Sequence, residues 1–178
     1  MILVGLYGDS RSGKDTVARQ FEADYEFEWR SFANALRQIL LDINPTFDGM
    51  AYLNELVRDY GWDGVKKHWP ESVDMMIALG QSVRDNIHED AWTWSVLSEP
   101  LPERLVISDV RQPNEYEKIK ALGGEVWKIV RPGTTRRGMD GLLDHRFFDV
   151  VIYNNAGPDA LRATVDREVS RALQDRWL

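Results

Sequence analysis

The stretch that most limits the folds open to this chain lies at its start. An apolar run, Ile2–Tyr7 (ILVGLY), leads directly into Gly8-Asp9-Ser10-Arg11-Ser12-Gly13-Lys14-Asp15-Thr16, and a helical pattern follows over Thr16–Ala23. An unbroken apolar run of this length reads as a strand covered on both faces, as in a parallel sheet. The two glycines permit backbone angles that turn successive amides inward around an anion. The helix start adds unsatisfied N–H groups and partial positive charge, and Lys14 adds a mobile ammonium. Strand, glycine-bounded turn with lysine, and helix together describe a phosphate-binding loop of the P-loop kind.

The rest of the chain supports a layered α/β fold. Further strand-like runs occur at Phe27–Trp29, Leu105–Ser108, Val126–Val130 and Val150–Tyr153. Helical patterns separate them at Phe32–Ile43, Glu115–Leu122 and Asp159–Leu173, with Pro113 at a helix-start position and Gly123-Gly124 as a stop. Such alternation predicts a three-layer fold with a central parallel sheet flanked by helices. No linker or repeat divides the 178 residues, so one domain spanning 1–178 is expected. Residues from about 44 to 100 break the alternation. They have helical spacing but no convincing strand, and they hold Trp62, Trp69, Trp92 and Trp94. We read them as a helical subregion in which the tryptophans are core anchors, or in which Trp92 helps to line a pocket for a flat base.

Charge and cysteine content remove several classes of function. With 22 basic and 29 acidic residues the formal net charge is −7, which argues against a stable grip on nucleic acid. The chain has no cysteine, so disulfides, thiolate metal sites and a cysteine nucleophile are excluded, and a reducing cytoplasm is the expected compartment. The apolar start is too short for a membrane span and lacks a basic leader region, so no membrane association is expected.

The loop points to a nucleoside triphosphate, and the candidate contacts to it are Gly8, Arg11, Ser12, Gly13, Lys14, Asp15, Thr16 and Val17. Asp15 stands where a serine or threonine usually follows the lysine. It either helps to hold a metal ion or is a favourable first-turn acid, and Thr16 is a phosphate or metal contact. Leu105-Val106-Ile107-Ser108-Asp109 is a strand ending in an acid. Ligands bind at the carboxyl ends of parallel strands, so Asp109 is a candidate magnesium ligand, or else a loop or capping aspartate. Arg111 belongs to the same edge and can clamp phosphate. Arg131, Arg136 and Arg137 lie in a glycine-framed loop, about 131–145, that reads either as a lid that excludes water or as a solvated basic loop. Ser31, Phe32 and Arg37 open the second helix, and Gln81, Arg84 and Asp85 share one helix face. These are candidates for an acceptor's base and monophosphate, with a surface or structural role as the alternative.

With those residues in view, the sequence resembles the deoxynucleoside monophosphate kinases of bacteriophages, within the nucleoside monophosphate kinase group. The matching stretches are GDSRSGKDTVA, SFANALRQIL, LGQSVRDNIHEDAW and VISDVRQPNEYEKIKALGGEVWKIVRPG. The resemblance implies a P-loop fold with a helical acceptor-binding region and an arginine lid. It implies ATP with Mg²⁺ as donor and a nucleoside monophosphate as acceptor. It is compatible with a homodimer, and with the host cytoplasm if the chain is phage-encoded. The run Asp144-His145-Arg146 departs from the family's pattern, and His145 is expected to be structural. The alternatives are a kinase for another phosphorylated small molecule such as dephospho-coenzyme A, an NTP-hydrolysing switch or motor, and a module that only senses nucleotide.

Overall fold

The computed structural model describes residues 1–49, 51–98, 100–134 and 141–174. They form two compact units, Met1–Ser31 with Leu97–Leu178, and Phe32–Val96.

The first unit is built on a five-stranded, wholly parallel sheet. Its strands are β1 (Ile2–Tyr7), β2 (Glu28–Arg30), β5 (Arg104–Ile107), β6 (Glu125–Val130) and β7 (Val150–Tyr153), in the order β2-β5-β1-β6-β7. The chain enters on the central strand, which is why the opening run is apolar on both sides. One face is covered by α1 (Lys14–Tyr25) and α7 (Pro158–Gln174), the other by α6 (Pro113–Ala121). Under α1 and α7 lies the main core, where Val4, Leu6, Val106, Ile129 and Ile152 from the sheet meet Val17, Phe21, Leu161 and Val165. Phe21 anchors it, edge-on to Phe27 at 4.8 Å and to Trp127 at 5.3 Å between ring centroids. Burying such rings contributes both area and quadrupole-directed contacts. On the α6 face a Cβ at Gly5 would lie 2.7 Å from Ile119 Cδ1, so glycine lets the helix close onto the central strand.

Parallel pairing brings all the carboxyl ends to one edge. Ile107 is in register with Gly5 and Arg30, Tyr7 with Lys128, and Val130 with Tyr153. Ser31, Asp109, Gly8, Arg131 and Asn154 each follow a strand there, which is where an open α/β sheet binds its ligands.

The second unit contains α2 (Ala33–Ile43), α3 (Leu53–His68), α4 (Glu71–Asn86) and most of α5 (Ala91–Leu97), with a small hairpin, β3 (Thr46–Phe47) and β4 (Ala51–Tyr52). The hairpin corrects the expectation of no strand after residue 44. Its signal was Asp48-Gly49, both at positive φ (53° and 69°), a turn dipeptide too short-ranged to register in a helical pattern. Asn44, at φ 50°, ends α2, and its side-chain oxygen accepts the Asn54 N–H of α3 at 2.9 Å. Among the described residues no helix is long and apolar enough to cross a membrane.

Candidate active site

The turn between β1 and α1 is shaped for an anion. Gly8 and Gly13 sit at φ 153° and 108°, and Arg11 at 65° also takes the left-handed region. A Cβ at Gly8 would run into the Ile129 carbonyl, so only glycine fits. A 3.1 Å bond from Ser12 N to Asp9 O closes the turn, and the first helical bond, Val17 N to Gly13 O at 3.0 Å, starts α1. The helix has no side-chain N-cap. The amides of its first turn therefore have no acceptor within the helix, the standard provision for anion binding.

Two side chains complete the cradle. Lys14 is buried, and its Nζ donates to Gly8 O and Asp9 O, both at 2.7 Å, which places the ammonium against the first residues of the turn. Ser12 Oγ is fully buried with no hydrogen-bond partner. An orphaned hydroxyl at such a position costs free energy unless a ligand satisfies it. Ammonium, hydroxyl and helix amides are the donor set of a phosphate site.

Other predicted residues fall as follows. Asp15 and Thr16 are exposed on the first turn of α1. Val17 departs from expectation: its side chain is fully buried in the core and its N–H is used by Gly13 O, so it offers neither to a nucleotide. Asp109 stands beyond β5, and its Oδ2 accepts the Ser31 hydroxyl at 2.7 Å. Among the described residues no group of three or more carboxylates or histidines could hold a metal. A magnesium ion here would draw part of its shell from phosphate oxygens and water, as this ion usually does. Arg111 is half-buried, and its backbone N–H donates to Glu115 Oε2 at 2.7 Å. Glu115, almost fully buried, also accepts Gln112 N at 2.9 Å, a capping arrangement that fixes the Arg111 turn. Gln112-x-x-Glu115 was a readable signal for it. Arg131 is exposed after β6, and three residues on the Thr134 hydroxyl lies 2.9 Å from Arg131 O and 3.2 Å from Asp9 Oδ2, its one proton serving either acceptor. Arg136 and Arg137 lie outside the described residues. His145, expected to be structural, is exposed.

A cavity of about 370 Å³ adjoins the start of the turn, lined by Gly8, Asp9, Lys128, Arg131, Phe148 and Tyr153 among others. Of its lining residues, Phe148 stacks on Tyr7, the rings lying 5.1 Å apart and nearly parallel, with Lys128 Nζ over both. Asp144 accepts bonds from Lys128 (2.7 Å) and the Tyr7 hydroxyl (3.2 Å). Burial, and then the Asp144 charge, push the Tyr7 hydroxyl up to about 12, which keeps it a proton donor.

Within the second unit, Gln81 Nε2 donates to Asp85 Oδ1 at 2.8 Å on an exposed face of α4. Arg84 is half-buried, with Nη1 3.4 Å from Gly80 O. Arg37 is half-buried, its guanidinium 5.9 Å from the Trp62 ring, and its Nε is buried without a partner. Phe32 is buried. Trp92 departs from the pocket expectation. It is buried, and its indole N–H donates to Gly80 O at 3.0 Å, so the ring is an anchor of the helical unit rather than a free stacking surface. Asn154 was missed altogether, since a lone asparagine after a strand carries no pattern. Its Nδ2 donates to Ser12 O at 2.9 Å.

Parallel sheet, strand-to-helix turn and buried lysine define an α/β protein with a P-loop. No protein-family model matches the chain. It is 28% identical over 172 residues to a protein of Acanthamoeba polyphaga mimivirus named "Putative deoxynucleotide monophosphate kinase", covering 87% of this chain and 89% of that one. Similar solved structures include shikimate kinase from Aquifex aeolicus, with a TM-score of 0.46 and 12% identity over 99% of this chain and 98% of that chain. A gluconokinase from Sinorhizobium meliloti has a TM-score of 0.38 and 13% identity over 97% and 91% of the respective chains.

Proposed function

We propose that this chain transfers the γ-phosphoryl group of ATP to a deoxynucleoside monophosphate, releasing ADP and a deoxynucleoside diphosphate. The observation that carries the donor half is the unpartnered, buried Ser12 hydroxyl in the turn that also holds Lys14. The acceptor half is supported by the mimivirus relative and by the stretches that resemble phage kinases. Gly8, Arg11, Ser12, Gly13, Lys14 and the amides of Asp15 and Thr16 hold the triphosphate. The cavity beside Gly8 and Asp9 seats the donor's base, with Phe148 and Tyr153 supplying apolar surface.

Lys14, Arg111 and Arg131, with Arg136 and Arg137, counter the negative charge on the oxygens of the phosphoryl group as it moves. Asp109, with Asp15 or Thr16, would hold a magnesium ion, which would supply charge neutralisation on the outer phosphates. In the helical unit Arg37 and Arg84 take the acceptor's phosphate, while Gln81 and Asp85 fix its base and sugar. No general base is required, because a phosphate monoester is already ionised near pH 7. The reaction is a direct transfer between two bound nucleotides, and its rate rests on alignment and charge stabilisation.

The test is an acceptor panel: ATP and Mg²⁺ with each deoxynucleoside monophosphate, each ribonucleoside monophosphate and dephospho-coenzyme A, products resolved by chromatography. The reading expects diphosphate from at least one deoxynucleoside monophosphate. Phosphorylation of dephospho-coenzyme A alone would support the other kinase reading, and acceptor-independent hydrolysis would point to a switch or motor.

A further inference from the structure

We propose that Asn154 is a positioning residue that sets the direction of the Ser12–Gly13 peptide and so aims the Gly13 amide at bound phosphate. This rests on the reading of the β1–α1 turn as a phosphate cradle. Asn154 is the first residue after β7. Its backbone N–H continues the sheet, donating to Val130 O at 2.8 Å. Its side chain crosses to the turn, where Nδ2 donates to Ser12 O at 2.9 Å. Contact with the next residue is equally close, since a Cβ on Gly13 would lie 2.7 Å from Asn154 Nδ2. Asparagine amide and glycine backbone are packed together, so a side chain at 13 would have to push the Asn154 amide off Ser12 O, and φ 108° disfavours one in any case.

The consequence follows from peptide geometry. In a trans peptide the carbonyl and the N–H point in opposite directions. Holding Ser12 O on Asn154 therefore turns Gly13 N–H away from Asn154. Because glycine at φ 108° has little intrinsic preference for either peptide orientation, the turn alone does not fix it. If that peptide turned over, it would replace a donor with a carbonyl oxygen, and an anion held there would meet a negative dipole. Asn154 thus ties the far strand of the sheet to the most permissive peptide of the turn.

The experiment uses the full chain and two probes, sodium tripolyphosphate and ATP, with affinities measured by calorimetry for wild type, Asn154→Leu and Asn154→Ala. Both variants remove the donor without adding charge, and Leu keeps the bulk. The proposal expects tripolyphosphate and ATP to weaken by the same factor, about tenfold for one charge-assisted bond. A purely structural role would lower the melting temperature and leave the affinity of the folded protein unchanged, which overturns the proposal. Loss of ATP affinity with tripolyphosphate unaffected would mean that Asn154 touches the nucleoside, which overturns it as well. If wild type binds neither probe, the cradle reading fails first and this inference with it. Should the variants not fold, NMR of wild type decides. Added tripolyphosphate should move the Gly13 amide resonance strongly downfield while Asn154 side-chain hydrogens stay protected, and an unmoved Gly13 amide would refute the assignment.

Discussion

Ser31 Oγ donates a 2.7 Å hydrogen bond to Asp109 Oδ2, joining the residue after β2 to the residue two beyond the end of β5. In the sequence the two residues are candidates for separate tasks, Ser31 as acceptor contact and Asp109 as metal ligand. The bond makes Ser31 a group that helps to orient the Asp109 carboxylate. Ser31→Ala should therefore raise the magnesium concentration needed for half-maximal rate by about 10- to 100-fold, the usual cost of losing a partner that orients a metal ligand. A change confined to the acceptor's KM would return Ser31 to its other role. Steady-state rates across a magnesium series distinguish the two.

Lys14 is the most exposed to disproof by a single substitution. Lys14→Ala removes the ammonium now bonded to Gly8 O and Asp9 O. Turnover should fall by at least about 10²-fold, as when a transition-state charge contact is lost. Far-UV circular dichroism should match wild type, because the helix and the core beneath it do not depend on that amine. Near-normal turnover would refute the assignment.

Trp92 tests the boundary between packing and binding. Trp92→Phe keeps a ring but loses the bond to Gly80 O. The cost should be about 1 kcal/mol, a few degrees in melting temperature for a chain of this size. Acceptor KM should stay within about twofold. A large rise in KM at unchanged stability would restore the pocket role.

Two tyrosines predict the alkaline limit of stability. Burial, with the Asp144 charge second, raises Tyr7 to about 12; burial, with the Asp166 hydrogen bond second, raises Tyr25 to about 12. Between the ordinary value of 10 and those folded values the native state holds more protons than the unfolded chain. The stabilisation is therefore complete below pH 10 and is lost as pH rises toward 12. Denaturant midpoints should fall across that window, and Tyr7→Phe with Tyr25→Phe should flatten the fall. Equal slopes in wild type and the double variant would count against it.

What could be read in advance follows from where the signals live. Ile2–Tyr7 was bounded correctly because a strand buried on both faces shows as an unbroken apolar run, and Val150–Tyr153 because it is apolar throughout, although its Val151 and Tyr153 side chains are exposed. The phosphate turn was legible because glycine and lysine at fixed offsets leave few other structures open. The Thr46–Phe47 and Ala51–Tyr52 hairpin was not, since two-residue strands have no period. Val17 was misjudged by proximity to the loop, although its place on the apolar face of the helix puts it in the core. Asn154 and the Ser31–Asp109 pair are contacts between residues 142 and 78 positions apart, and only the strand order brings them together.

The central claim is best met by a crystal structure of the chain with a non-hydrolysable ATP analogue. The β-phosphate should lie inside the turn, accepting from Ser12 Oγ and the amides around Gly13, with Lys14 Nζ released from Gly8 O and Asp9 O toward the outer phosphates. An analogue bound elsewhere, with Ser12 Oγ and Lys14 undisturbed, would contradict it.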